Sequence, residues 1–395
     1  MSPMQILFLP SWYPSNPDDL AGSFFREQAI ALADAGADVG VLAPALRSLR
    51  QPMKALFGDN KLRNELDCGL HTYRGSVAHL TPKLWGPTVR RIAGLTERMF
   101  AAYVADRGMP DVLHVHAALP IAQAAMNISK KHNLPIVYSE HSSAFARDRI
   151  GPAGVALAAC IARQATRCFA VSKPFADLLE QKFAMPVDSV GVMPNSVHAS
   201  FLTHQLTGSN DGRIRFLHVS LLDPTKNVSS LLTAFAAAFG GTSNAVLAIG
   251  GDGPDRPALE QLANKLGIAE QVTFYGRLSR EEVVAAMAAA DVFVLPSKYE
   301  TFGVVVIEAL AMGLQVVATR CGGPEDIIEE GDGLLVPVDD TAALTTAMTQ
   351  LGSPGTMENR AALREKCRQR FGAVEIAARW LDVYAEAMTL HRAQS

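Results

Sequence analysis

Cysteine is scarce and scattered in this chain. Its 395 residues hold five, Cys68, Cys160, Cys168, Cys321 and Cys367, with no CxxC pair. An odd, unpaired set argues against a disulfide framework or a zinc site, and for free thiols in a reducing compartment. Long apolar runs are lacking too. No stretch has the uninterrupted length a membrane helix needs, and the most apolar helical candidate, GVALAACIARQA from Gly154, is cut by Arg163. The opening MSPMQILFLPSWYP carries no basic leader, so its short apolar run reads as a first strand and not as a signal peptide. Charge is thin: 19% of residues are charged, the formal net charge is -3, and no block of like charge occurs. That balance calls for no nucleic-acid partner and no charged disordered tail.

What the chain has is apolar residues, 49% of the total, enough for two or three domains with their own cores. Short β-branched runs recur, each followed by an Ala-rich helical pattern. QILFLP from Gln5 precedes FFREQAIALADAG; DVGVLAP, DVLHVHAA, PIVYSEH and CFAVSKP repeat the theme. The second half repeats it with IRFLHVSLL, AVLAIGGDG, VTFYGRL, VFVLPS, QVVATRCGG and GLLVPV. Apolar strands alternating with helices predict parallel sheets covered on both faces. Around residues 195–213 the rhythm lapses into a Ser-, Asn-, Thr- and Gly-rich linker. A mid-chain linker favours two doubly wound domains over a single barrel. In such sheets ligands bind beyond the carboxyl ends of the strands.

The strand ends carry the chemistry. KYETFGVVVIEALAMG (298–313) places Glu300 and Glu308 in an apolar run, where an unpaired carboxylate is costly. The segment reads as loop, then helix, with Thr301 as N-cap and Gly313 as stop. Backbone N–H groups near Phe302, Gly303 and Val304 would face a phosphate, and Glu308 would accept from ligand hydroxyls. A capping carboxylate plus an interdomain ion pair is the plainer reading, and spacing alone does not separate them. Gly250-Gly251-Asp252-Gly253-Pro254 is an incomplete glycine-rich phosphate turn, for which a tight turn without ligand is the better reading. Lys226 sits in a strand-to-helix loop, where an ammonium neutralises phosphate or is simply solvated. His114 and His116 alternate onto one strand face, and Glu140 and His141 end another strand; no third ligand at a diagnostic spacing makes a metal site. The loop SWYPSNPDDLAGSFFREQ ends at Gly22, and its Asp18-Asp19 pair is not read as a metal-binding DxD. MKALFGDNKLRNE from Met53 and KLWGPTVRRIAGLTERMFAAY from Lys83 mix basic and bulky apolar residues. They suit either an anionic membrane surface or ordinary amphipathic packing.

Taken in order, these pieces resemble family 4 of the retaining glycosyltransferases. The two-glutamate motif stands as Glu300-Thr301-Phe302-Gly303 through Glu308-Ala309-Leu310-Ala311-Met312-Gly313. SWYP…GSFFREQ, DVLHVHAALP, PIVYSEHSS, VMPNSV, LAIGGDGP, VTFYGRLS, VFVLPS, CGGPEDII and FGAVEIAARWLDVYAEAM follow the family order through most of the chain. The resemblance implies the GT-B fold: two doubly wound Rossmann-like parallel-sheet α/β domains facing a central cleft. Residues 1–197 would form the acceptor-side domain and 198–372 the donor-binding domain, with a helix at 373–392 returning to the first. The donor implied is a nucleotide-diphosphate sugar, and the acceptor a glycan, glycolipid or lipid-linked hydroxyl. In this reading Glu308 grips the ribose, Glu300 contacts the donor sugar, and Phe302, Gly303 and Val304 bind the diphosphate with Lys226. Gly251 and Gly253 line the nucleotide, Arg277 flanks the base, His141 faces the donor sugar, and Gly22 lies near the diphosphate. No cofactor and no metal are expected, and the expected location is cytoplasmic with an optional peripheral membrane contact. One departure stands out: the family commonly has an arginine five residues before the lysine, and here that position is Leu221. A non-catalytic sugar–nucleotide binder, or another activity such as an epimerase on the same scaffold, is the alternative.

Overall fold

The computed structural model describes residues 3–16, 19, 21–47, 61–79, 85–206, 212–242, 244–352 and 360–394. The chain divides into two units, Met1–Ser196 with Ala373–Ser395, and Val197–Gly372. In the first, apolar runs become strands buried on both faces, as in β1 (Gln5–Pro10), where every residue after Gln5 is buried. β2 (Asp38–Arg47), β3 (Arg63–Asp67), β4 (Leu70–Ala78), β5 (Val112–His116), β6 (Ile136–Glu140), β7 (Arg167–Ala170) and β8 (Gly191–Val192) complete the set. The sheet order is β3-β4-β2-β1-β5-β6-β7-β8. Pairing is parallel except for β3 against β4, a hairpin turned at Cys68 and Gly69, both with positive φ. Strand order reverses between β1 and β5, which makes their carboxyl ends a crevice.

Helices cover the sheet because their apolar periodicity demands it. The helix Ala373–Gln394 packs on the helix Ser23–Asp34 and on β5 and β6, burying Ile376, Ala377, Trp380, Tyr384 and Ala387. Trp380 lies 4.6 Å from the His114 ring and 5.2 Å from Phe169 between centroids. The helix Trp85–Arg107 places Ile92, Leu95, Met99, Phe100 and Tyr103 in the core and packs on β2 and β4. The apolar half of that basic–apolar segment is therefore used within the unit, leaving Arg90, Arg91 and Arg98 on its exposed edge. Residues 53–60 of the other such segment, and Asp18, lie outside the described residues. Among the described residues no helix is long and apolar enough to cross a membrane.

The second unit is a sheet of β9 (Ile214–Val219), β10 (Ala245–Gly250), β11 (Val272–Gly276), β12 (Val292–Leu295), β13 (Gln315–Thr319) and β14 (Gly333–Val336). All pairings are parallel, in the order β11-β10-β9-β12-β13-β14. Phe216, Phe235, Phe239, Leu247, Ile249 and Val294 sit in its core, each large side chain contributing about 1.5–3 kcal/mol on burial. Here the order reverses between β9 and β12. The loops after those two strands carry Lys226 and Glu300.

Candidate active site

The loop after β9 is built to present an ammonium. Asp223 accepts the Thr225 N–H at 2.8 Å, and Lys226 N–H donates to Asp223 O at 3.0 Å. Lys298 N–H donates to Thr225 O at 2.8 Å, joining this loop to the one after β12. Lys226 Nζ then lies 2.6 Å from Glu300 Oε1, which also accepts from Ser297 Oγ at 2.7 Å. The pair is mostly buried, with side-chain exposures of 18% and 13%. Glu300 thus has a partner within its own unit, which answers the cost of a carboxylate in apolar surroundings.

The backbone of Glu300 is held as firmly. Its N–H donates to Cys321 O at 2.8 Å, and Gly323 N–H donates to Glu300 O at 3.0 Å. This contact is why the loop after β13 is Gly322-Gly323: a Cβ at Gly323 would lie 2.1 Å from Phe302 O. It also overturns the expected N-cap. Residues 300–302 are tied to the β13 loop, so Thr301 stands outside the helix, which runs Val304–Ala311 behind Gly303 at φ 96°. Glycine takes that left-handed conformation without the Cβ penalty. The helix entrance has no side-chain cap and no acidic residue in its first turn, so that turn itself supplies no carboxylate to its positive dipole end. Phe302 is buried beneath this entrance, and Glu308 is half-buried more than one turn in.

The glycine turn after β10 has a packing purpose. At Gly251 (φ 121°) a Cβ would lie 1.8 Å from Ser220 O, and at Gly253 it would lie 2.3 Å from Leu222 O. Leu222 N–H donates to Asp252 O at 2.9 Å. These glycines let one loop lie flush on the loop that carries Lys226. Arg277 follows β11 on an exposed turn, apart from the Lys226–Glu300 pair in sequence and strand position. Leu221 is 61% exposed. Arg320 is also exposed, with its guanidinium 4.0 Å from Glu325.

His218, Ser297 and the Gly322-Gly323 pair were not singled out from the sequence. His218 is fully buried on β9. Its Nδ1–H donates to Val294 O at 2.8 Å, so its Nε2 accepts from Ser220 Oγ at 2.7 Å. Burial pushes its pKa down to about 4, which keeps the imidazole neutral. A polar residue inside an apolar strand was the available signal.

In the first unit, His141 and Gly22 converge on one pair of rings. The His141 ring lies 5.4 Å from Phe24 and 4.9 Å from Phe25 between centroids, and Gly22 (φ 78°) begins the helix that bears both. Asp19 holds the turn ahead of it, accepting from Ser15 Oγ at 2.7 Å and Ala21 N–H at 3.0 Å. Glu140 is a clamp: its oxygens accept from Ala118 N–H, Tyr138 O–H, His141 N–H and Ser142 N–H at 2.5–3.0 Å. Burial still raises its pKa. Ser139 Oγ meets His141 Nε2 at 3.0 Å and His116 Nδ1 at 3.1 Å, while His114 joins Tyr384 O–H at 2.6 Å. Desolvation takes His141 to about 3, so its ring is neutral at neutral pH, and its buried Nδ1 has no hydrogen-bond partner among the described residues. Among the described residues no group of three His, Cys, Asp or Glu side chains is placed to hold a metal ion.

Two family models match the chain, "Glycosyltransferase Family 4" over residues 21–201 and "Glycosyl transferases group 1" over residues 202–370. It is 26% identical over 369 residues to the putative teichuronic acid biosynthesis glycosyltransferase TuaC of Bacillus subtilis strain 168, covering 88% of this chain and 89% of that one. It is 26% identical over 287 residues to a glycogen synthase of Mycobacterium tuberculosis, covering 70% and 69%. Sucrose-phosphate synthase from Thermosynechococcus elongatus has a similar fold, with TM-score 0.75, 21% identity, and 98% and 99% coverage.

Proposed function

Because the chain belongs to glycosyltransferase family 4, with the GT-B fold, we propose that it moves a sugar from a nucleotide-diphosphate sugar to a hydroxyl, with retention at the anomeric carbon. The acceptor in this reading is a glycan, glycolipid or lipid-linked hydroxyl of cell-surface glycoconjugate synthesis. The relative named for teichuronic acid synthesis supports that choice. The observation that carries the donor assignment is the Lys226–Glu300 pair at the β9/β12 reversal, beside the uncapped Gly303 helix entrance.

In this reading the diphosphate sits on the N–H groups at Gly303 and Val304, over buried Phe302, with Lys226 against its charge. Glu308 accepts from the ribose hydroxyls. Gly251 and Gly253 let the backbone close on the nucleotide side, and Arg277 flanks the base. As the bond from the anomeric carbon to phosphate oxygen breaks, negative charge grows on the diphosphate. The preorganised helix end and Lys226 stabilise it, so no metal or cofactor is required. The acceptor oxygen bonds the anomeric carbon on the same face, and its proton passes to the departing phosphate oxygen. Glu300, held by Lys226 and Ser297, orients the donor sugar. In the first unit, His141 offers a neutral imidazole able to bond a sugar hydroxyl, beside the turn at Gly22. Cytoplasmic placement follows from the donor, and the basic edge of the helix Trp85–Arg107 suits a peripheral contact with an anionic membrane.

The test is a panel of nucleotide sugars, with nucleotide release and product anomer followed together. Turnover with retention in the presence of EDTA supports the reading; inversion, epimerised donor or a metal requirement overturns it.

A further inference from the structure

Ser139 stands where three histidines meet. β5 and β6 pair with His116 opposite Ser139, and alternation puts His114 on the face of His116 and His141 on the face of Ser139. The Ser139 hydroxyl lies 3.0 Å from His114 Nε2, 3.1 Å from His116 Nδ1 and 3.0 Å from His141 Nε2. His116 Nδ1 and His141 Nε2 are themselves 3.5 Å apart. Behind them, the helix Ala373–Gln394 brings Tyr384 Oη to 2.6 Å from His114 Nδ1. Ser139, His114, His116 and Tyr384 are all buried.

The protons of this cluster can be placed one by one. Burial keeps the three imidazoles neutral and the phenol protonated, so each ring carries a single N–H. Among the described residues the Tyr384 hydroxyl has His114 Nδ1 as its acceptor; Gln28, which also faces the phenol, lowers its pKa as a donor does. The Tyr384 O–H therefore donates to His114 Nδ1. That leaves the His114 hydrogen on Nε2, from which it donates to Ser139 Oγ. His116 Nε2 has no hydrogen-bond partner among the described residues, and its ring lies 4.4 Å from Phe8 and 4.8 Å from Phe25 between centroids. A buried N–H is rarely left orphaned, and a bare acceptor is better tolerated. Nε2 is thus the bare nitrogen, and His116 Nδ1–H also donates to Ser139 Oγ. A hydroxyl has two acceptor positions and one hydrogen. Both positions are now taken, so the Ser139 hydrogen goes to the remaining neighbour, His141 Nε2. His141 then carries its own hydrogen on Nδ1.

We propose that Ser139 is a positioning residue: by donating to Nε2 it fixes His141 as the Nδ1–H tautomer and makes that histidine a hydrogen-bond donor to a ligand oxygen. Tyr384, acting through His114, orients the Ser139 hydroxyl. A buried N–H without a partner is costly, and a ligand oxygen relieves that cost. The tautomer stands on the geometry alone; the ligand, a donor-sugar oxygen, rests on the glycosyltransferase reading above.

The test uses the full chain. Long-range proton–nitrogen NMR of histidine-labelled protein at neutral pH reads the tautomer of each ring, with the His141 signal assigned by its loss in His141→Gln. The expected result is hydrogen on Nδ1 of His141 in the wild type, a shift towards Nε2 in Ser139→Ala, and recovery of Nδ1–H in Ser139→Thr. Hydrogen on Nε2 in the wild type overturns the proposal. An unchanged tautomer in a folded Ser139→Ala variant also overturns it, handing the role to His116. Calorimetry then reads the ligand side. UDP-glucose, UDP-galactose and GDP-mannose are compared, and the tightest binder is followed by analogues with one sugar hydroxyl at a time replaced by fluorine, which only accepts, or by hydrogen, which does neither. At one position the deoxy analogue should bind about tenfold more weakly while the fluoro analogue keeps most of the affinity, and Ser139→Ala should erase that difference. Equal losses for fluoro and deoxy analogues at every position overturn the donor role of His141. Failure of all three parent nucleotide sugars to bind sinks the glycosyltransferase reading and leaves the tautomer to be decided by the NMR result.

Discussion

Lys226 Nζ lies 2.6 Å from Glu300 Oε1 although 74 residues separate them. The contact exists because β9 and β12 are neighbours at the strand-order reversal, so the loops beyond them meet. A carboxylate held this way is oriented without cost at the moment of reaction.

Removing Glu300 should separate binding from transfer. Glu300→Ala is expected to lower kcat about 100-fold, with nucleotide affinity within about threefold of wild type. Lys226→Met should instead weaken nucleoside-diphosphate binding by about tenfold or more, since in the proposed reading it removes a charge partner of phosphate and leaves Glu300 with Ser297 Oγ but no cation. Calorimetry with the nucleotide and initial-rate kinetics read the two effects apart. Equal loss of affinity in both variants would contradict the division of roles.

Glycine at 251 is expected to be indispensable to the second unit. Its φ is 121°, and a Cβ there would sit 1.8 Å from Ser220 O, a main-chain atom that cannot rotate away. Gly251→Ala should cost about 3 kcal/mol or more. Gly267 has φ 71° with nothing within 4 Å of its would-be Cβ, so Gly267→Ala should cost only about 1–2 kcal/mol. Chemical denaturation of both variants tests the contrast.

Acid should weaken the fold before carboxylates titrate. His218 is held neutral with a pKa near 4, against about 6.5 in an unfolded chain. The unfolded state therefore binds the proton first, and the stability His218 contributes is present above about pH 6.5 and lost as pH falls towards 4. At pH 5 the loss is about 2 kcal/mol for this residue. His141, with a folded value near 3, pushes in the same direction in the other unit. His218→Asn should flatten the pH dependence of unfolding between pH 6 and 4.5 by up to one proton, measured by urea titration at fixed pH values.

The strands were legible because buried parallel strands are written as uninterrupted apolar runs: QILFLP and VFVLPS have few other homes. Helices such as Ser23–Asp34 announced themselves by periodicity and by the glycine before them. Pairings were not legible, since no local pattern tells Lys226 that Glu300 is its partner. Thr301 illustrates the limit. Local propensity makes it a cap, but hydrogen bonds from the β13 loop hold Glu300 and the helix starts only after Gly303, so tertiary contacts outweigh the local preference. Glu140 was visible as an acid beside His141; that it clamps four donors depends on Ala118, which arrives from another strand end. Asp67-Cys68-Gly69 is a local signal for the β3–β4 hairpin, whereas the register that sets Arg63 opposite Arg74 is visible only in the paired strands.

Leu221 offers the sharpest test of the diphosphate site. It stands where the resemblance to family 4 leads one to expect an arginine, at the start of the loop on which Gly251 and Gly253 pack, and it is 61% exposed. An exposed leucine contributes little burial energy, so Leu221→Arg should leave the melting temperature within about 2 °C of wild type, as surface changes generally do. If the diphosphate lies between the Gly303 helix entrance and Lys226, a second cation there adds a charge-assisted contact worth about 1 kcal/mol, or roughly a fivefold lower donor KM. The gain should shrink with added salt, because an exposed charge is screened. A donor KM unchanged in Leu221→Arg at low salt would place the diphosphate away from this loop.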